Sequence, residues 1–398
     1  MTLRYPSYQF ALFRIVFGLY LLVHFVSLIP VASELWSSAG FLSDVRLNPS
    51  YGYFPNILAL CDTPEMVTGF VTLLALLSLM LMIGYHRRSV SLLLWYGWAA
   101  LFHQNNLILN PGIPMVGWLL LALVLIPKGE GWGIASKEEK WQMPPILFWG
   151  AWMIAGIAYT ISGLDKAMAP SWQDGSAITH LLHNPLARDY FVRDVFLGFP
   201  EWVRQGLTWF TLALEILFGL LALFSKTRFW AWGMIMMMHL GIVMIVDFPD
   251  LTLGVMMLHL FTFDGRWFAV EKKERIIVYD GICGFCNKSI DRLISMDEEG
   301  LFRYTSLQGE YIKQLEIPKG MVSIVYYEAG EYYYKSTAIL RILRSLGGIG
   351  ILANLGYMIP RFMRDFIYDV IAKYRYDIFG KMDACRMPSA SEKARFLA

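Results

Sequence analysis

Charge is scarce in this chain. Asp, Glu, Lys and Arg make up 17% of its 398 residues, against roughly 25% in ordinary globular proteins. Hydrophobic residues reach 56% and the mean hydropathy is +0.46, which excludes a wholly soluble protein. A net charge of +2, with no basic patch interleaved with aromatics, excludes nucleic acid as the expected partner. Cysteine is rare as well, at four residues. That is too few for a secreted disulfide framework, so a closely spaced cysteine pair reads as catalytic rather than structural. Histidine stops at His259. A structural zinc site needs about four ligands, and the later cysteines Cys283, Cys286 and Cys385 have no histidine to join them. No metal site is expected.

Long apolar runs are abundant. Phe10 to Pro30 forms the first, followed by a loop from Val31 to Thr63 rich in aromatics and proline. Pro64 to Tyr85, Val90 to Leu109 and Ile113 to Ile126 follow, the last of them short. After the polar stretch Pro127 to Met143 come Pro144 to Ile161, the long non-apolar segment Ser162 to Arg204, then Leu207 to Phe224 and Phe229 to Val246. Leu251 to Phe263 makes the count seven or eight, because at 13 residues it is short for a bilayer span and reads equally as re-entrant. The first run is about as long as a spanning helix and carries no small-residue cleavage site, so it is expected to remain as an anchor in the lipid bilayer. With eight spans, Arg87, Arg88, Lys128, Lys137, Lys140, Lys226, Arg228, Arg266, Lys272, Lys273 and Arg275 fall on one side. By the positive-inside tendency both termini are then cytoplasmic and the protein sits in the cell (inner) membrane.

Beyond residue 265 the pattern becomes α/β. Residues 266–275 form a charged linker, 276–390 a domain and 391–398 a tail. Ile276 to Tyr279 is a β-branched strand, followed by Asp280-Gly281-Ile282-Cys283-Gly284-Phe285-Cys286 and then Ile290, Leu293 and Ile294 at helical spacing. Phe302 to Ser306 and Val322 to Tyr327 read as strands, Glu328 to Glu331 as a hairpin turn, Tyr332 to Lys335 as the return strand and Thr337 to Leu346 as a helix. Strand, glycine turn, C-x-x-C and helix places a thiol at a helix N-terminus, where unpaired N–H groups and the helix dipole favour thiolate. Cys283 is the expected nucleophile and Cys286 the resolving thiol.

Ionisable residues inside spans usually face a bundle interior. Glu215, His239 and His259 are of this kind, read either as buried structural pairs or as a site; nothing in the sequence fixes the distance between the two histidines. Arg14 and His24 read as packing and snorkelling residues. Lys166 stands where the fifth run leaves the apolar core. It reads either as a snorkelling anchor or, turned inward, as an amine base.

Two families resemble these two halves. Tyr279-Asp280-Gly281-Ile282-Cys283-Gly284-Phe285-Cys286, Lys335-Ser336-Thr337-Ala338 with Arg341-Ile342-Leu343, and Phe379-Gly380 with Asp383-Ala384-Cys385-Arg386 resemble the DCC family of thiol-disulfide oxidoreductases. That likeness implies a thioredoxin-like fold, redox roles for Cys283 and Cys286, and a signature turn at Asp280 and Gly281. Phe13-Arg14-Ile15, Ser162-Gly163-Leu164-Asp165-Lys166 with Trp172, Asp174 and Gly175, Glu215, and His239-Leu240 ahead of Phe248-Pro249 resemble the HTTM domain, related to vitamin K-dependent γ-carboxylase. It implies a quinone-class cofactor and a quinol-deprotonating base at Lys166, supported by Trp172, Glu215 and His239.

The expected architecture is a multi-span α-helical membrane bundle of seven or eight helices (1–265) with a C-terminal α/β thioredoxin-like domain. The expected function is thiol-disulfide exchange with a protein partner. The alternatives are a quinol-dependent, carboxylase-like enzyme acting on a lipid-soluble substrate through Lys166, and a non-enzymatic membrane scaffold or export partner.

Overall fold

Apolar runs punctuated by proline and glycine become helices, and the punctuation sets their ends. The computed structural model describes residues 5–108, 110–132, 141–247, 250–268, 274–297, 299–315, 317, 323–382, 388–389 and 392–397. Lys137, Lys140, Phe248, Pro249, Lys272, Lys273 and the Asp383 to Arg386 stretch with Cys385 lie outside them. Two compact units result, residues 10–263 and residues 264–398, the second also taking in residues 2–9.

The first unit is helical. In chain order it holds α1 (Ser7–Leu28), the short α2 (Ala32–Trp36), α3 (Pro64–Ile83), α4 (Arg87–Gln104), α5 (Gly112–Leu125) and α6 (Pro145–Ala167). Three short helices follow, α7 (Pro170–Gln173), α8 (Ala177–Leu182) and α9 (Phe191–Leu197), and then α10 (Glu201–Leu223), α11 (Ser225–Ile245) and α12 (Asp250–Phe261). Among the described residues, five helical segments are long and apolar enough to cross a membrane: Ser7–Trp36, Pro64–Ile83, Pro145–Ala167, Glu201–Leu223 and Ser225–Ile245. Gly112–Leu125 and Thr252–Phe261 are shorter apolar helices. α3 shows the local logic. Thr63 caps its start by accepting the Met66 N–H, Pro64 occupies the first turn, and Gly84 ends it in the left-handed region at φ 76°. The sequence places Ser162 to Arg204 outside the apolar core, but helix runs on to Ala167 and resumes at Glu201. The next proline after Ala167 is Pro170, so nothing breaks the helix before Lys166.

α6 and α10 approach closely because both present glycine to the contact. A Cβ on Gly163 would come within 2.7 Å of the Ile216 backbone nitrogen, and one on Gly156 within 3.3 Å of the Gly219 Cα. Small residues of this kind let apolar helices dock without a hydrophobic driving force. A second junction is polar. Arg14 is fully buried and donates to Leu81 O (2.9 Å), Met82 O (2.6 Å) and Trp132 O (2.8 Å). Arg87, also buried, donates to Leu123 O, Ile126 O (3.1 Å) and Pro127 O (2.6 Å). Glu130 lies between them, 3.0 Å from Arg87 Nε and 3.2 Å from Arg14 Nε. Arg14 therefore does not snorkel; its guanidinium ties α1 to the carbonyl end of α3, where cations are favoured.

The second unit is α/β. β1 (Arg275–Tyr279), α13 (Gly284–Met296) and β2 (Arg303–Ser306) form a βαβ unit; β3 (Val325–Glu328), β4 (Glu331–Tyr334) and α14 (Lys335–Ser345) follow, and then α15 (Arg361–Phe379). The sheet order is β2-β1-β3-β4, with β1 parallel to β2 and antiparallel to β3, and β3 antiparallel to β4. This order fits the thioredoxin-like fold that the resemblance implies. β1 is buried on both faces. Ile277 and Tyr279 pack with Ile290, Phe302, Tyr304, Tyr326, Ala338 and Ile342, while Ile276 and Val278 pack with Val325 on the other side. The hairpin turns through Ala329 and Gly330, both at positive φ (51° and 92°), as a two-residue turn between twisted strands requires.

Two domain boundaries differ from those read in the sequence. Arg275, placed in the linker, starts β1 and pairs with Glu328 at 2.8 Å. Residues 392–397, expected as a tail, join the domain: Leu397 N–H donates to Tyr304 O at 2.8 Å, and the Phe396 ring lies 5.4 Å from that of Tyr304. β2 is an edge strand with unpaired backbone groups, and a passing segment satisfies them. α15 has no counterpart in the sequence reading at all.

Candidate functional site

β1 ends at Tyr279, and a turn through Asp280, Gly281 and Ile282 delivers Cys283 to the N-cap of α13. Cys283 is extended (φ −89°, ψ 117°), and its Sγ accepts the backbone N–H of Cys286 at 3.2 Å. A sulfur thus fills the place that Ser or Asp oxygen usually takes at a helix start. Burial pushes the Cys286 thiol up to about 12, with the Cys283 hydrogen bond and charge adding to the effect, so Cys286 holds its proton at neutral pH.

Asp280 organises the turn rather than facing outward. It accepts from Arg375 Nη2 (2.7 Å), Gln308 Nε2 (3.0 Å), the Tyr376 hydroxyl and the Ile282 N–H (3.3 Å). Burial works to raise its pKa, but the hydrogen bonds from Tyr376, Gln308 and Ile282 and the Arg375 charge outweigh it and hold the carboxyl below its usual range. Gly281 donates to Gln308 Oε1 at 2.9 Å and accepts from Asn287 Nδ2 at 2.8 Å. Arg375, Tyr376 and Gln308 carry no sequence signal for this role. Arg375 lies 95 positions from Asp280.

Cys283 itself is fully buried. The segment leaving α15 runs over it: Met382 N–H donates to Ile282 O at 2.8 Å, Gly284 N–H to Gly380 O at 3.3 Å, and Cys283 forms an antiparallel bridge with Lys381. The Phe379 ring stands 4.8 Å from Phe285. A Cβ at Gly284 would fall 2.5 Å from Phe379 O, so this strap fits only over glycine.

A second constellation lies in the helical unit. Tyr159, Ser162 and Lys166 share one face of α6 at i, i+3 and i+7. Lys166 turns inward: its Nζ stands 2.5 Å from Glu215 Oε2 and 2.9 Å from Ser162 Oγ, which in turn donates to Glu215 at 3.1 Å. Trp172 covers it, with Nζ 5.4 Å from the indole ring. A turn further into the helix, the Tyr159 hydroxyl bridges His239 Nε2 (2.5 Å) and His259 Nε2 (2.7 Å), and His239 Nδ1 bonds the Thr252 hydroxyl. Tyr159 and Thr252 were not singled out in the sequence, since either in an apolar run reads as packing.

Comparison with known proteins follows the same division. A family model of the HTTM domain matches residues 5–264, and one described as DCC1-like thiol-disulfide oxidoreductase matches residues 277–381. Among curated proteins, "Uncharacterized protein YuxK" of Bacillus subtilis (strain 168) is 40% identical over 129 residues, covering 31% of this chain and 94% of that protein. "DCC family protein At1g52590, chloroplastic" of Arabidopsis thaliana is 32% identical over 126 residues, covering 30% of this chain and 73% of that protein. No solved structure matches. With five apolar helices of spanning length, this is a membrane protein; it belongs to the HTTM family across its N-terminal two thirds and carries a DCC1-like thiol-disulfide oxidoreductase domain after it.

Proposed function

We propose that the chain is a membrane-anchored thiol-disulfide oxidoreductase in which Cys283 attacks and Cys286 resolves. The observation that carries this is the Cys283 sulfur at the N-cap of α13, accepting the Cys286 N–H, beside a thiol that stays protonated until it is needed. The Cys283 thiolate attacks a partner disulfide, forming a mixed disulfide and expelling one partner thiolate. Cys286 then attacks the Cys283 sulfur and expels the second partner thiolate, which takes up the proton that Cys286 gives up. The partner gains two electrons and the protein is left with a Cys283–Cys286 disulfide. On the eight-span reading both termini are cytoplasmic, the surroundings are reducing and the domain works as a reductant. The test is trapping in cells. Cys286→Ser is expected to accumulate a mixed disulfide visible on non-reducing gels, and Cys283→Ser none; absence of any adduct in Cys286→Ser removes this reading.

A second reading is favoured by the inward turn of Lys166 onto Glu215. The pair sets an amine against a carboxylate at a half-buried spot under Trp172, which suits a lipid-soluble hydroxylic substrate of the quinol class. The base is then the Lys166–Glu215 pair rather than an isolated amine. Lys166→Ala is expected to cut turnover of such a substrate about 10²–10⁴-fold, the usual range for a lost general base. Gently extracted protein without quinone, together with full activity of Lys166→Ala in cells, overturns it and leaves a scaffold role for the bundle.

A further inference from the structure

α15 is amphipathic the wrong way round for a soluble domain. Its polar residues face the domain: Asp365 accepts from Ser336 Oγ at 2.5 Å, the Tyr368 hydroxyl accepts the Ile324 N–H at 2.9 Å, Asp369 pairs with Lys335 at 2.7 Å and Arg375 with Asp280 at 2.7 Å. Its apolar residues face away. Phe362, Phe366, Ile367, Val370, Tyr374 and Ile378 recur at helical spacing and are exposed by 42% (Val370) to 74% (Phe362). The approach to the helix continues the stripe, with Leu355 and Met358 also exposed. An apolar stripe of this kind on the exposed face of a helix marks an interaction or membrane surface.

We propose that α15 lies along the bilayer surface with this stripe seated at the boundary between headgroups and acyl chains. Three observations favour lipid over a protein. The domain is tethered: between Phe261 at the end of α12 and Arg275 at the start of β1, the chain reaches at most about 50 Å even fully extended, so the helix is held at high local concentration near lipid. Basic residues border the stripe, Arg364 and Lys373, where they meet anionic headgroups. Two of the three acidic residues of the helix are engaged elsewhere, Asp365 by Ser336 and Arg361 and Asp369 by Lys335, and the third, Asp377, stands in its last turn. The proposal stands apart from the redox reading, since it uses neither cysteine.

The test places a nitroxide on the full chain in vesicles of phosphatidylethanolamine and phosphatidylglycerol. Single labels at Phe366→Cys and Val370→Cys, in a background with the native cysteines changed to serine, are compared with Lys313→Cys, which is exposed on the same domain. Labels on the stripe are expected to be relaxed by lipid-partitioning oxygen and shielded from a water-soluble nickel chelate, with the oxygen-to-nickel ratio severalfold above that at Lys313. Relaxation by nickel at both stripe positions means a water-facing helix and overturns the proposal. Shielding from both relaxers, with spin–spin broadening that grows with protein concentration, means a second copy covers the stripe and overturns it equally.

Discussion

Replacing Glu130 by Gln is expected to destabilise the helical unit by about 3–5 kcal/mol, the range for removing one member of a buried charge cluster. Arg14 and Arg87 are both buried, and Glu130 is the carboxylate that stands within 3.2 Å of each. Their remaining donors are spent on helix-end carbonyls, which lower the cost of burial but do not cancel charge. Without the carboxylate two guanidinium groups face each other in a low-dielectric space. Thermal unfolding in detergent, followed by far-ultraviolet circular dichroism, measures the loss. Arg46→Ala, which removes an exposed pair with Asp44, is the contrast, expected to leave the melting temperature unchanged. Equal melting of Glu130→Gln and the unaltered protein refutes the clamp.

The second large effect concerns access to Cys283. Phe379→Ala removes one aromatic contact of the strap, worth about 0.5–1.5 kcal/mol, and Gly284→Ala sets a methyl group where the Phe379 carbonyl lies. Alkylation of Cys283 is expected to speed up by roughly two- to tenfold in the first variant, since 1.4 kcal/mol is one decade, and by more in the second. Cys61, an exposed free thiol, is the internal standard, and mass spectrometry separates the two sites. A faster reaction with an unchanged pH midpoint reports opening of the strap; a moved midpoint with no change in the plateau reports ionisation instead and counts against the strap. Gly284 takes an ordinary helical conformation at the first turn of α13, where alanine is a good helix former, so the helix tolerates the change.

Much of this was readable from spacing. The β1 strand, the C-x-x-C turn and α13 are neighbours in sequence, and local periodicity and a glycine turn suffice to order them. The hairpin at Ala329 and Gly330 was legible for the same reason, as were the apolar helices. What escaped depends on residues far apart. Glu130 follows a helix end as an ordinary loop charge, and only the packing of α1, α3, α4 and α5 reveals two arginines beside it. Lys166 and Glu215 were each marked, but 49 positions separate them, and the glycines that let α6 and α10 touch carry no label of their own. α15 defeated periodicity because its apolar stripe implies a buried face, while the domain binds the opposite, polar one. Arg87 was counted among free charges that orient the chain, yet its guanidinium is consumed inside the helical unit.

The phenol of Tyr159 has a single hydrogen to give, and two imidazole nitrogens stand within reach of it. It donates to one ring and must receive from the other, so Thr252, His239, Tyr159 and His259 form a row with a sense of direction. If His239 gives its Nδ1 hydrogen to Thr252, it takes one from Tyr159, and His259 points its own toward the phenol; the reverse order is the sole complete alternative. Passing from one to the other moves a hydrogen at each step and also needs one supplied at His259 Nδ1, which has no hydrogen-bond partner among the described residues, and one given up by the Thr252 hydroxyl. The interior of this bundle therefore has two polarities available from one arrangement of heavy atoms, exchanged only through the two ends of the row.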